Sequence, residues 1–434
     1  MTAQKTGKEL GRIYWLPFFI LICAPLADFR PMQIVEEPDG STAVTMRQLA
    51  AESDPTMIII KGTAYILALW LFLKRPDANM RYLARQPAYL LLSFFMLASM
   101  AWSLFPVKVF INFGHMLGMG LVLLALARYF QSRPPYLFLF LARILGIYIG
   151  LSIPVSLILP GYVDVDGRWI GVTGNANTLG MICVTSVWAN VSSLYSLSER
   201  RLRRWNWALL ALTLGALIGA RSATSITNAG VVVIGLWFLQ SLEGNRKDVR
   251  MLKFGVVGFL ALLLLASLLV FAPEVLEAQG FFALFGRSST LSGRTKLWAE
   301  AWELIQMKPW MGWSFDSNMS VLENLGGVGQ FHNGYLDLMV RGGWVGLLFF
   351  IMLLTGLFKR VRSVAKRNWR LAMQVTMLIV AILLHNITEA SIARETHLYW
   401  LLIIFAYFFL DILRMDQTNN SILPKNNRFP QAFR

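Results

Sequence analysis

The chain has 434 residues, 56% of them apolar and 15% charged, and a mean hydropathy of +0.54. That balance excludes a string of soluble domains and is too apolar for a single soluble core of this length, which leaves a membrane bundle. The formal charge of +16 would suit nucleic acid, but the cations cluster between apolar runs and the aromatic side chains lie inside those runs, which excludes a nucleic-acid-binding module.

Apolar runs near the length needed to cross hydrocarbon recur from end to end. In chain order they cover residues 13–27, 57–73, 87–104, 110–128, 136–159, 176–196, 205–220, 223–242, 254–273, 342–358, 371–388 and 396–413. Lys5, Lys8 and Arg12 precede the first run, and no small-residue cleavage site clearly follows it, so it reads as a retained helix. The fold class expected is an all-α polytopic membrane protein of about twelve transmembrane helices.

The positive residues orient that bundle. Lys74, Arg75, Arg81, Arg85, Arg128 and Arg133 fall in gaps of one parity, as do three clusters: Arg200, Arg201, Arg203 and Arg204; Arg246, Lys247, Arg250 and Lys253; and Lys359, Arg360, Arg362, Lys366, Arg367 and Arg370. The positive-inside rule places these gaps in the cytoplasm, together with both termini. Residues 1–413 are then expected to form a single transmembrane domain, 414–434 a polar cytoplasmic tail, and 274–341 a large helical loop outside. Within that loop Ser292 is expected to cap a helix from about Gly293 to Met307, with Trp298, Ala301, Trp302 and Ile305 on one face and Pro309 ending it.

Cations on the outer side oppose the prevailing bias: Arg168, Arg221, Arg287, Arg294, Lys296, Lys308, Arg341 and Arg394. Snorkelling toward headgroups accounts for part of this set. Arg221 fits it poorly, because it sits between two apolar runs in Gly219-Ala220-Arg221-Ser222. A guanidinium there needs an anion, and a diphosphate matches its fork. His332, in Phe331-His332-Asn333-Gly334-Tyr335 at the end of the outer loop, is a candidate proton acceptor, although a lone histidine is more often structural. His115, His385 and His397 form no recognisable metal set, and Cys23 and Cys183 lie far apart in or beside apolar segments. Asp164 and Asp166 have the spacing of a divalent-metal pair but read as a solvated turn. No phosphate-binding Gly-x-x-x-x-Gly-Lys-Ser/Thr loop exists, so an ATP-driven pump is unsupported.

Several segments, in order along the chain, resemble the O-antigen ligase and polymerase family of bacterial membrane proteins. They are Gly167-Arg168-Trp169, Gly174-Asn175-Ala176-Asn177, the Arg221-Ser222 junction, Ser292-Gly293-Arg294 with Trp298, Pro309-Trp310-Met311-Gly312-Trp313, and His332-Asn333 followed by Gly342-Gly343. The family junction is often Ser-Arg, whereas Ala220 precedes Arg221 here. The resemblance implies a membrane-embedded glycosyltransferase of the GT-C type, metal-independent and without cofactor, in the bacterial inner membrane with its active site facing the periplasm. The implied donor is a glycan on undecaprenyl diphosphate, and the acceptor is either lipid A core, as for a ligase, or another glycan repeat, as for a polymerase. The pathway would be O-antigen or exopolysaccharide synthesis, with membrane lipids and other polysaccharide assembly proteins as partners.

By position, Arg221 and Arg294 would bind the diphosphate and His332 would orient or deprotonate the acceptor hydroxyl. Arg168, Asn175, Arg287, Asn333 and Arg341 would be further substrate contacts. Two other classes stay open. A flippase or transporter for an anionic polyprenyl-linked lipid would need charges near the bilayer midplane, where Arg143 is the clearest. A noncatalytic scaffold of a polysaccharide assembly complex would fit the lack of a strong stand-alone catalytic motif.

Overall fold

A computed structural model describes residues 55–241 apart from 160, 165 and 166, then 291–325 and 330–422, together with an antiparallel pair of two-residue strands, β1 (Val35–Glu36) and β2 (Thr42–Ala43). The expected spans at 13–27 and 254–273, and Arg287, lie outside the described residues. The helices are α1 (Pro55–Leu73), α2 (Pro76–Ala84), α3 (Pro87–Ala98), α4 (Pro106–Phe130), α5 (Pro134–Ile158), α6 (Ala176–Ser196) and α7 (Arg200–Ala220). They continue with α8 (Ala223–Ser241), α9 (Leu291–Met307), α10 (Met319–Leu325), α11 (Gly334–Ala365), α12 (Trp369–Thr388) and α13 (Leu398–Ile422). The first five each begin on proline, whose fixed φ suits the first turn and whose missing N–H is not needed there.

Among the described residues six helices, α4, α5, α8, α11, α12 and α13, are long and apolar enough to cross a membrane. This is a multi-pass membrane protein. Shorter or more polar helices occupy the remaining expected spans within the described residues: α1, α3, α6 and α7. The low hydropathy of α6 has a structural cause. It packs against α5, α7, α8 and α12, and its polar side chains are buried against those helices, some of them bonding across to them, instead of facing lipid. Ser186 Oγ lies 2.9 Å from Thr213 Oγ1, Asn206 donates to Ser193 Oγ at 2.7 Å, and Gln374 donates to the Ser192 carbonyl at 2.9 Å.

Helix α11 is broken. Gly343 has φ 60° and ψ −159°, and the carbonyls and N–H groups freed around it are taken up by the Pro309–Trp313 loop. Trp313 N donates to the Val340 carbonyl at 2.8 Å, Trp344 N to Pro309 at 2.8 Å, and Val345 N to Trp310 at 3.1 Å. The backbones approach so closely that a Cβ on Gly343 would stand 2.4 Å from the Trp310 carbonyl carbon. The arm beyond the break, 344–365, is long enough to cross hydrocarbon alone, in agreement with a span expected from 342. Gly343→Ala is expected to cost about 1–3 kcal/mol from the backbone conformation alone, read as a lower thermal unfolding midpoint. Gly62→Ala, with nothing among the described residues within 4 Å of the new methyl, is the control expected to leave that midpoint unchanged or slightly raised.

One residue of the topology clusters turns inward. Arg360 is buried, with Nε 3.1 Å from Asp411 Oδ1 and a second nitrogen donating to Gln86 Oε1 at 2.6 Å, while Gln86 Nε2 closes the ring on Asp411 Oδ2 at 2.7 Å. Counting it as a solvated cation treats a core residue as a surface one.

Candidate functional site

The site is built around Glu389, the first residue after α12. Three elements reach it. His332 Nδ1, just before α11, lies 3.0 Å from its Oε2; an Arg294 guanidinium nitrogen, from α9, lies 3.0 Å from its Oε1; and Asn177 Nδ2, from the first turn of α6, donates to Oε1 at 2.8 Å. The carboxylate is the inner group, with 11% of its side chain exposed against 37% for the imidazole. Its Nδ1 engaged, His332 has Nε2 left for a substrate proton.

Burial alone would raise the Glu389 carboxyl, but the His332 hydrogen bond and the Arg294 charge help to outweigh it and hold the group below its ordinary value of 4.5. A depressed carboxylate stabilises the fold above that ordinary value, and its contribution is lost as pH falls through the lower folded-state value. The thermal stability gap between wild type and Glu389→Gln is therefore expected to persist at neutral pH and to close under acid conditions below 4.5; a gap independent of pH would show that charge plays no part.

Each partner is held by the motif around it. Asn333 caps α11, its Oδ1 accepting from Tyr335 N at 3.0 Å and Leu336 N at 3.1 Å, which leaves His332 outside the helix in a left-handed conformation (φ 48°). Trp298, one turn beyond Arg294 on α9, donates its indole N–H to the Phe331 carbonyl at 3.1 Å, so α9 holds both the carboxylate and the residue before the histidine. Gly334 lets α11 close on α12: a Cβ there would stand 2.0 Å from Asn386 Oδ1. That same oxygen accepts from Ser391 N at 2.9 Å and Ile392 N at 3.2 Å, shaping the turn that carries Glu389. Asn175 caps α6 by accepting from Asn177 N at 2.7 Å, and so sets the residue that bonds Glu389.

The other expected residues are placed as follows. Arg221, exposed, ends α7 in a left-handed conformation (φ 44°). Its junction with α8 lies at the Glu389 end of the bundle, since Thr224 Oγ1 is 3.0 Å from Thr388 Oγ1 and Ser225 packs over Gly180 of α6. Trp169 docks there too, its N–H donating to the Gly219 carbonyl at 3.0 Å. Arg168 is tied within its own loop, Nε 2.7 Å from Asp164 Oδ2. Arg341 is buried, donating to the Ile392 and Ala393 carbonyls at 2.7 and 3.0 Å and pairing with Asp337 at 2.8 Å. It thereby fixes the far side of the Glu389 turn.

Glu389 and Asn177 are absent from the residues expected on sequence grounds. The available signal was an acid ending a span on the side where the unexplained arginines gather.

Residues 208–351 match the family model described as O-Antigen ligase. The chain is 26% identical over 217 residues to exopolysaccharide production protein ExoQ of Rhizobium meliloti (strain 1021), covering 45% of this chain and 48% of that protein. It is 32% identical over 145 residues to an O-antigen ligase of Pseudomonas aeruginosa, covering 33% of this chain and 31% of that one. The similarity thus spans about half the length of the first relative and about a third of the second. The matched segment holds Arg221, Arg294 and His332, while Asn177 and Glu389 lie outside it.

Proposed function

We propose that this chain, similar over residues 208–351 to the O-antigen ligase family and over part of its length to an exopolysaccharide production protein and an O-antigen ligase, transfers a glycan from undecaprenyl diphosphate to a hydroxyl acceptor in cell-surface polysaccharide synthesis. The observation that carries this reading is Glu389 joining a histidine and an arginine, from separate elements, at one end of a membrane bundle. The acceptor is lipid A core or a further glycan repeat. The twelve-span arrangement belongs to the same reading, with both termini in the cytoplasm and the Glu389 end on the periplasmic face of the inner membrane. It is supported by the gathering of Asn177, Arg221, Arg294, His332 and Glu389 at ends that share one parity in the span order.

The chemistry follows from the groups present. With Nδ1–H donated to Glu389, the neutral imidazole accepts the acceptor hydroxyl proton at Nε2. The hydroxyl oxygen forms the new bond to the anomeric carbon as the bond from that carbon to the diphosphate breaks. The electron pair leaves on the diphosphate, whose growing charge is met by Arg294 and Arg221. The step needs no nucleotide, since the activated donor carries its own leaving group.

The test uses purified full-length protein with a polyprenyl-diphosphate-linked glycan. Release of polyprenyl diphosphate, coupled to elongation of an added acceptor, is the expected result. Movement of the intact lipid-linked glycan across proteoliposomes without bond cleavage would overturn the reading.

A further inference from the structure

The end of the bundle remote from Glu389 carries a cavity of about 330 Å³ between the C-terminal turns of α1, the start of α2 and the last turns of α4. Helix α4 starts beside the loop that receives Asn112 on the Phe315 carbonyl at 2.9 Å and ends beyond Arg128. Its 25 residues separate the two ends by roughly the thickness of a bilayer core. The cavity walls include the apolar Ala68, Leu71, Leu121 and Leu124, and its lining also holds the cations Lys74, Arg75 and Arg128.

Two polar atoms in this lining lack partners among the described residues. Asn79 is 4% exposed. Its amide NH2 is engaged by the Phe72 carbonyl at 2.6 Å, and its Oδ1, buried, accepts no hydrogen bond. The Arg128 Nε–H is likewise buried without an acceptor. A buried donor and a buried acceptor left open in one cavity are costly unless something else satisfies them.

A headgroup that fits must offer negative charge to three cations and a hydroxyl hydrogen to Asn79, on a body that fills an apolar slot. We propose that this cavity binds an anionic phospholipid with a hydroxyl-bearing headgroup, phosphatidylglycerol being the simplest, in the leaflet opposite the candidate transfer site. The phosphate is bound by Lys74, Arg75 and Arg128, the headgroup hydroxyl donates to Asn79 Oδ1, and an acyl chain lies along α1 and α4. Lys74 and Arg75 are both exposed, so either can be changed without disturbing the core.

The experiment measures thermal unfolding and native mass spectra of the full-length protein in detergent with phosphatidylglycerol, phosphatidylcholine or glycerol 3-phosphate. Phosphatidylglycerol is expected to raise the midpoint by several degrees and to stay bound, with no effect from the other two. The double substitution K74Q/R75Q is expected to reduce bound phosphatidylglycerol roughly tenfold or more, at about 1 kcal/mol for each cation near a charged lipid surface, while the lipid-free midpoint stays unchanged. Equal stabilisation by phosphatidylcholine, equal binding of glycerol 3-phosphate, no response to any of the three, or full retention by the double variant would each overturn the proposal.

Discussion

Substituting His332 by alanine is expected to slow glycan transfer about 10²–10⁴-fold, the range supplied by a positioned general base. The protein should remain folded, because the imidazole is more than a third exposed, at 37%, and Asn333 keeps its cap on α11. Glu389→Gln is the more informative partner. A glutamine can still meet Nδ1 and hold the ring, but it cannot stabilise the imidazolium that forms when the ring takes a proton. An intermediate loss, confined to kcat and accompanied by a shifted pH–rate profile, is expected for Glu389→Gln, and a loss comparable with that of His332→Ala for the double variant. The measurement is single-turnover release of polyprenyl diphosphate. Full turnover by His332→Ala would remove the histidine from the chemistry, and an unshifted profile for Glu389→Gln would reduce that residue to a structural strut.

The second large effect is on stability. Asp337 is fully buried and meets two arginines, Arg341 and Arg394, each at 2.8 Å, with Asn318 donating at 3.1 Å. Removing the carboxylate takes from the Arg341 guanidinium, 2% exposed, the anion it pairs with at 2.8 Å. Asp337→Ala is therefore expected to cost about 3–5 kcal/mol, whereas Asp164→Ala, which breaks a partly exposed pair with Arg168, should cost within about 1 kcal/mol. Thermal unfolding of the two variants side by side checks the ranking, and equal midpoints would show that the Asp337 cluster contributes little. Because Arg341 also holds the Ile392 and Ala393 carbonyls, Asp337→Ala should lower transfer as well, by loosening the turn that carries Glu389.

Hydropathy located the long helices well because α4, α5, α12 and α13 are continuous apolar segments. The break in α11 was invisible to it. Gly342-Gly343 reads as the start of a span, and only the backbone exchange with Pro309–Trp313 shows that a helix runs on both sides. Charge counting failed in the same way for Arg360 and Arg341, since it records a cation's place in the chain and not the direction of its side chain. Asn175 and Asn333 stand out in the sequence within the motifs that carry the family resemblance, but their side chains are occupied as helix caps that set Asn177 and His332. Glu389 escaped because its importance lies entirely in the residues it meets, from segments as distant as Asn177 and Arg294.

The hydroxyl and amide side chains buried along α6 also bear on how the protein is made. Inserted on its own, that helix would present Thr185, Ser186, Asn190, Ser192 and Ser193 to acyl chains. Partners for Ser186 and Ser193 arrive with Thr213 and Asn206 on the next helix, but the Ser192 carbonyl and the Trp188 indole wait for Gln374 on α12, synthesised far later. The contacts of α6 with α12 form only once the later helix has been made, and Asn177 meets Glu389 no earlier than that.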